Sequence, residues 1–247
     1  MNAIQRGLVS KRAPFTSWPA PPCVPGLEAN EVHVWRSTLE IPAVQMEKLR
    51  QTLSPAEMER AGRFRFPGDR GRFTVARGTL RTLLAGYLNM RPEEIRFRYG
   101  RFGKPEIDGD RAREMLRFSV SHSGGLALYA VSLGRRVGVD IEYIQRDPMI
   151  GDIARQSFAP PENALLEACP EHLRDKAFFT LWTRKEAYLK ALGTGLAKAD
   201  ALRGTDADAP WSFLFADLYV ARGYAAALAV EGRRVALQCL QWPCSRV

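Results

Sequence analysis

Along the chain, apolar and polar positions change period several times. Val32 and Val34 alternate with His33, a period of two that predicts a strand starting near residue 31. Ser54-Pro55-Ala56-Glu57 places a capping serine before a proline at the first helical position, with a glutamate three residues on. That pattern opens a short helix reaching about residue 64. Gly68-Asp69 interrupts the pattern, after which Val75, Ala76, Leu80, Leu83, Leu84, Tyr87 and Leu88 mark an amphipathic helix. Residues 116–121, 126–133 and 137–143 are short apolar or alternating runs, split by Ser123-Gly124-Gly125 and Gly134-Arg135-Arg136. They read as consecutive antiparallel strands. Helical patterns follow over 161–169 and, more strongly, over 173–192, and strands close the chain over 212–219, 224–230 and 235–241.

The order is therefore strand, helices, strands, helices, strands, one plan run twice. Phe73-Thr74-Val75 ahead of one long helix echoes Phe179-Thr180-Leu181 ahead of the other. This predicts an α+β protein of two similar halves, 31–136 and 137–247. Residues 1–30 precede them as a leader holding five of the sixteen prolines and little periodicity, expected to run extended over the surface.

Composition narrows the class. With 247 residues, 46% hydrophobic and 26% charged, the chain is an ordinary globular protein with a sizeable core. No apolar run approaches a membrane span, and residues 1–11 lack the apolar segment of a secretory signal, so membrane and secreted classes drop out. Cys23, Cys169, Cys239 and Cys244 form no paired metal motif, and only three histidines are present, which argues against zinc and for reduced thiols in a cytoplasm. Lys and Arg total 36 against 27 Asp and Glu, a formal charge of +9. Such a balance points to an anionic partner: nucleic acid, an acidic protein or a phosphorylated small molecule.

Three segments can carry chemistry. Phe118-Ser119-Val120-Ser121-His122-Ser123-Gly124-Gly125 runs a strand into a turn whose N–H groups, hydroxyls and histidine can cradle phosphate oxygens. In Val137-Gly138-Val139-Asp140-Ile141-Glu142 the two carboxylates project from one face of a strand, an arrangement that suits Mg²⁺. In Trp182-Thr183-Arg184-Lys185-Glu186-Ala187-Tyr188-Leu189-Lys190, Glu186 and Lys190 are neighbours one helical turn apart. Taken singly, each has a plain alternative: a hairpin turn, a solvated strand face, a surface ion pair.

Together and in this order they resemble the S-H-S-G, G-[V/I]-D-x-E and W-[T/S]-x-K-E-[A/S]-[Y/F]-x-K blocks of the larger, surfactin-type (Sfp-like) 4′-phosphopantetheinyl transferases. Gly103-Lys104-Pro105 and Phe158-Ala159-Pro160-Pro161-Glu162 add to the likeness, which covers about 53–196. The resemblance implies a pseudo-dimer of two α/β halves with the active site in the cleft between them. It implies that Asp140, Glu142 and Glu186 hold Mg²⁺ with the pyrophosphate of coenzyme A, and that Lys190 and Lys104-Pro105 lie along the phosphates. Ser121 and His122 would meet the nucleotide end and Arg60 the 3′-phosphate, while Glu57 stands where some relatives carry lysine. The implied reaction is attack of a carrier-protein serine on the β-phosphate, with Glu186 as base, directly or through a water, and with Asp140 and Lys190 also catalytic. The implied partner is an acidic apo carrier protein, met by a monomeric enzyme. A Mg²⁺-dependent nuclease and a non-catalytic scaffold are the rival classes. The first lacks a basic stripe interleaved with aromatics, and the second is opposed by the intact Asp140, Glu142, Glu186 and Lys190.

Overall fold

A computed structural model describes residues 18–110, 115–194 and 213–243. The first part of the leader, the start of the strand expected at 212 and Cys244 lie outside the described residues. Among those described, the fold is mixed α+β, with six α-helices and three sheets. None of the helices is long and apolar enough to cross a membrane.

Strand β1 (Glu31–Thr38) is followed by helices α1 (Ala43–Gln51), α2 (Pro55–Gly62) and α3 (Pro67–Leu88). A small hairpin, β2 (Phe97–Tyr99) and β3 (Pro105–Ile107), leads into β4 (Leu116–Ser123) and β5 (Leu126–Leu133). The plan then repeats: β6 (Val137–Tyr143), helices α4 (Ile150–Ser157), α5 (Pro160–Glu167) and α6 (Glu171–Leu192), then β7 (Phe213–Asp217) and β8 (Tyr224–Glu231). In the first sheet β5 lies between β4 and β1, and in the second β8 lies between β7 and β6, every one of these pairs antiparallel. The two sheets share one connectivity: first strand, helices, then a hairpin whose second strand pairs back onto the first. The last strand, β9 (Ala236–Gln241), returns to run parallel to β1.

The expected run of three consecutive antiparallel strands stops at the second. Strand β5 already has a partner on each edge, so β6 has no place beside it and starts the second sheet. The turn supports that departure: Arg135 donates to the carbonyls of Ala29 (2.9 Å) and Glu231 (3.1 Å), and the Arg136 N–H donates to the Glu231 carboxylate (3.0 Å).

Helix α2 begins as the capping pattern predicts. The Glu57 N–H donates to Ser54 Oγ (3.3 Å) and the Ser54 N–H to Glu57 Oε2 (2.8 Å). Helix α3 starts at Pro67, earlier than the apolar stripe suggests. Gly68-Asp69 is its first turn, because proline at the first position and an acid beside the positive helix end outweigh the glycine. Both Phe-Thr triplets lie inside the long helices rather than ahead of them. Helices α1 and α4 and the β2–β3 hairpin have no counterpart in the sequence reading.

One core lies between the first sheet and its helices, built on Trp35, Leu80, Leu83, Leu84 and Tyr129. A second joins the sheets, with Val32, Val34 and Leu128 against Val139, Ile141 and Leu228. On the leader, Trp18 Nε1 donates to the Tyr219 carbonyl (2.8 Å) and stacks under Arg36, and the Gln241 N–H donates to the Pro19 carbonyl. Cys239 is buried, which pushes its thiol up to about 12, so it is an inert core group.

His33 is fully buried. Trp35 Nε1 donates to the Tyr87 hydroxyl (2.8 Å), which also bonds His33 Nδ1 (2.7 Å). His33 Nε2 lies 3.5 Å from the Glu31 carboxylate. Burial lowers the His33 pKa below its usual 6.5, with Glu31 opposing the shift. The unfolded chain thus takes up that proton first, so the stability His33 contributes is complete above pH 6.5 and is lost as pH falls below it. Urea unfolding of wild type and His33→Gln between pH 8 and 5.5 isolates the effect, because the other titrating groups are common to both. The wild type should show the steeper loss on acidification, and parallel curves would contradict this.

Candidate active site

The site is built around β6. Its residues 137, 139 and 141 are apolar and face the core between the sheets, so Gly138, Asp140 and Glu142 share the opposite face. Helix α6 crosses that face. An added Cβ on Gly138 would stand 1.9 Å from the Ala187 carbonyl oxygen and 2.4 Å from the Ala191 nitrogen, so the helix backbone rests directly on the glycine. Ala227 and Ala229 on β8 keep the surface beside it equally low. This close approach brings Glu186 and Lys190, one turn apart, over the carboxylates.

Asp140 is 2% exposed. Its Oδ1 accepts from Lys190 Nζ (2.6 Å) and from Ser121 Oγ (2.8 Å), and Lys190 also donates to Ser121 Oγ (2.8 Å). Glu142 Oε2 accepts from Ser123 Oγ (2.9 Å). Asp140 Oδ2 and Glu186 Oε1 are buried with no hydrogen-bond partner. Desolvation pushes all three carboxyls up; Asp140 adds to the shift of Glu142 and of Glu186, and Lys190 opposes it throughout. One ammonium thus serves three crowded acids. Among the described residues no three His, Cys, Asp or Glu side chains are drawn together as a ready metal cage. The two orphaned oxygens and the uncompensated negative charge are what a hard cation with oxygen ligands would satisfy, so the donor set fits Mg²⁺.

Strand β4 stands alongside β6. Alternation turns the hydroxyls of Ser119, Ser121 and Ser123 toward β6, while Val120 and His122 face a cavity of about 670 Å³ whose lining Ser123 and Gly124 also reach. Phe64, Phe73 and Leu80 also line that cavity, together with the cations Arg60, Arg72 and Arg77. His122 is held below its ordinary pKa, first by desolvation and then by Lys190, Arg60 and Arg72. Arg60 is exposed, its guanidinium 5.3 Å from the centre of the Phe73 ring. A second cavity of about 370 Å³ is lined by Glu186, Lys190, Lys104, Phe102 and Leu189. The two share Gly103, Pro105 and Val120 in their linings, so the cavity beside Arg60 and His122 adjoins the one beside Glu186 and Lys190.

Some residues stand differently from what the resemblance implies. The Ser121 hydroxyl is spent on Asp140 and Lys190 and does not line the nucleotide-sized cavity. Lys104 donates to the backbone carbonyls of Lys190 (2.6 Å) and Val137 (3.1 Å), tying the hairpin loop to the negative end of α6. Burial brings its pKa down to about 8. Glu57 is buried between Arg77 (2.9 Å) and Arg81 (2.6 Å), two cations that compensate its buried charge. Arg72, Arg77 and Tyr99 line the larger cavity without having been singled out. The helical pattern around Arg72 and Arg77 is read for its apolar stripe, and Tyr99 ends a three-residue strand too short to show a pattern.

Comparison with known proteins converges on one family. The family model described as 4′-phosphopantetheinyl transferase, N-terminal, matches residues 35–133, and that of the 4′-phosphopantetheinyl transferase superfamily matches residues 136–229. The chain is 45% identical over 185 residues to the 4′-phosphopantetheinyl transferase HetI of Nostoc sp., covering 74% of this chain and 77% of that protein. It is 28% identical to the 4′-phosphopantetheinyl transferase Sfp of Bacillus subtilis, covering 61% of this chain and 65% of that protein. It is 29% identical to the L-aminoadipate-semialdehyde dehydrogenase-phosphopantetheinyl transferase of Mus musculus, covering 59% and 50%. Two family models that match 35–133 and 136–229, and a relative matched over three quarters of its length, leave one assignment: the chain belongs to the 4′-phosphopantetheinyl transferase superfamily.

Proposed function

We propose that this protein transfers the 4′-phosphopantetheine group of coenzyme A to a serine of an acidic apo carrier protein, with Mg²⁺, releasing 3′,5′-bisphosphoadenosine. The observation that carries the reading is a pair of adjoining cavities: one basic and aromatic-walled, the other beside the carboxylate–lysine cluster. In this reading the halves 31–136 and 137–247 would form a pseudo-dimer within one chain, with β9 crossing back to the first sheet, and a single copy would supply a whole site.

In this reading Arg60, Arg72 and His122 take the nucleotide end, and Pro105 and Val120 form the wall between the subsites. Lys190 sets its positive charge against the pyrophosphate, and Lys104 adds the proton its two carbonyl partners leave over. Asp140, Glu142 and Glu186 would hold Mg²⁺, which would supply Lewis-acid stabilisation of the negative charge that develops in the reaction. Glu186 accepts the proton of the incoming serine, directly or through a water, and Ser121 keeps Asp140 in place. The basic surface receives the acidic carrier. Incubating the protein with coenzyme A, Mg²⁺ and a panel of apo carriers, then weighing the products, tests the assignment; no mass gain on any carrier would reject it.

The basic cavity also predicts a specific defect. A guanidinium meets two oxygens of a 3′-phosphate at once. Arg60→Ala should raise the KM for coenzyme A by roughly tenfold, about 1.4 kcal/mol. With 3′-dephospho-coenzyme A, mutant and wild type should perform alike, and an equal loss with both donors would place Arg60 elsewhere.

A further inference from the structure

We propose that Ser123 is a positioning residue that fixes the Glu142 carboxylate, as the outermost of three hydroxyls by which β4 sets the height of β6. The proposal rests on the reading of Glu142 as a Mg²⁺ ligand. Strands β4 and β6 are each the edge of their own sheet, and no backbone ladder joins them. Serine side chains do so instead, at every second position of β4. Ser119 Oγ accepts from the Val139 N–H (3.1 Å), Ser121 Oγ donates to Asp140, and Ser123 bonds both Tyr143 and Glu142.

The Ser123 contact is directional. A hydroxyl has one proton, and Ser123 Oγ already accepts from the Tyr143 N–H (3.0 Å), so its proton is aimed at Glu142 Oε2 (2.9 Å). The carboxylate is thereby held in one rotamer by one of its two oxygens, and the other is left for a second partner. The corner that carries Ser123 is itself pinned: Gly124 takes the left-handed conformation (φ +55°), and the Gly125 N–H donates to the Tyr224 hydroxyl (3.2 Å). Tyr224 in turn packs edge-on against Tyr143. Glu142 lies near the partly exposed end of β6, where an unheld glutamate would sample several rotamers before meeting a cation.

The test uses Mn²⁺ as the probe ion, counted by the paramagnetic resonance of the free ion in the presence of coenzyme A. Amide exchange at Tyr143 and calorimetry with 3′,5′-bisphosphoadenosine accompany it. Ser123→Ala should weaken Mn²⁺ binding about tenfold, speed Tyr143 exchange and leave the adenosine ligand bound as in wild type. Ser123→Thr, which keeps the hydroxyl, should restore Mn²⁺ binding. Wild-type Mn²⁺ affinity in Ser123→Ala overturns the positioning role alone, as does a threonine variant that behaves like alanine. Parallel loss of Mn²⁺ and of the adenosine ligand overturns it too, since the whole site would then have moved. A wild-type protein that takes up no Mn²⁺ overturns the metal reading itself, and the positioning role with it.

Discussion

Asp140→Ala and Glu186→Ala should each abolish transfer, by about a thousandfold or more, while the protein stays folded. A factor of that size corresponds to roughly 4 kcal/mol of lost transition-state stabilisation. The expectation follows from what the two side chains do not do. Each buries a carboxylate oxygen without a partner, so neither is satisfied by the fold itself. Groups whose burial raises their pKa are an expense to stability. Removing Glu186 therefore breaks no side-chain hydrogen bond among the described residues, and removing Asp140 leaves Lys190 bonded to Ser121 with its side chain 30% exposed to water. Urea midpoints close to wild type with turnover at background would fit this account. Asp140→Asn separates charge from shape, because it keeps the size and loses the anion, and it should be nearly as inactive as the alanine variant. Ordinary turnover by any of the three variants at normal Mg²⁺ would sink the assignment.

The site was more legible in the sequence than the fold around it, for a physical reason. Asp140 and Glu142 declare themselves because a strand places alternate residues on one face, and the neighbours Val139 and Ile141 are clearly core. Glu186 and Lys190 are fixed by helical spacing in the same way. The capping box at Ser54 was equally plain, since both its bonds are local. What could not be read depends on long-range pairing. That β6 leaves β5 for β8, and that β9 returns to β1, is decided by which sheet edges are already taken, and no local pattern carries that information. Helix α1 escaped notice because only Leu49 on it is buried, so it has no apolar stripe to detect. Lys104 shows a different limit. Its motif suggested a phosphate ligand, but only the structure reveals two backbone carbonyls already claiming two of its three protons. The serines of β4 lay between these cases: their period of two was visible, but their partner strand was not.

Gly138→Ala should be the most damaging substitution outside the chemistry itself. Inside a strand a glycine ordinarily weakens the backbone without packing anything. In the fold Gly138 is the point at which α6 touches β6. The new methyl would meet two backbone atoms of the helix, Ala187 O at 1.9 Å and Ala191 N at 2.4 Å, and neither can rotate away as a side chain could. The helix must lift, losing its contacts with Ala227 and Ala229. Overpacking of this kind costs about 3 kcal/mol or more, which for a chain of this length lowers the melting temperature by roughly 6–12 °C. Activity should fall further than stability does, because the lift carries Glu186 and Lys190 away from Asp140 and opens the 2.6 Å Lys190–Asp140 contact. Gly26→Ala is the control: nothing lies within 4 Å of its added methyl, and both quantities should stay near wild type. If Gly138→Ala melts with the control, the helix does not rest on the strand. If it is destabilised but fully active, Glu186 and Lys190 are not positioned by that contact. The glycine and the two carboxylates that follow it on the same face then make one device: the smallest residue where the helix must touch, and charge where the surface opens.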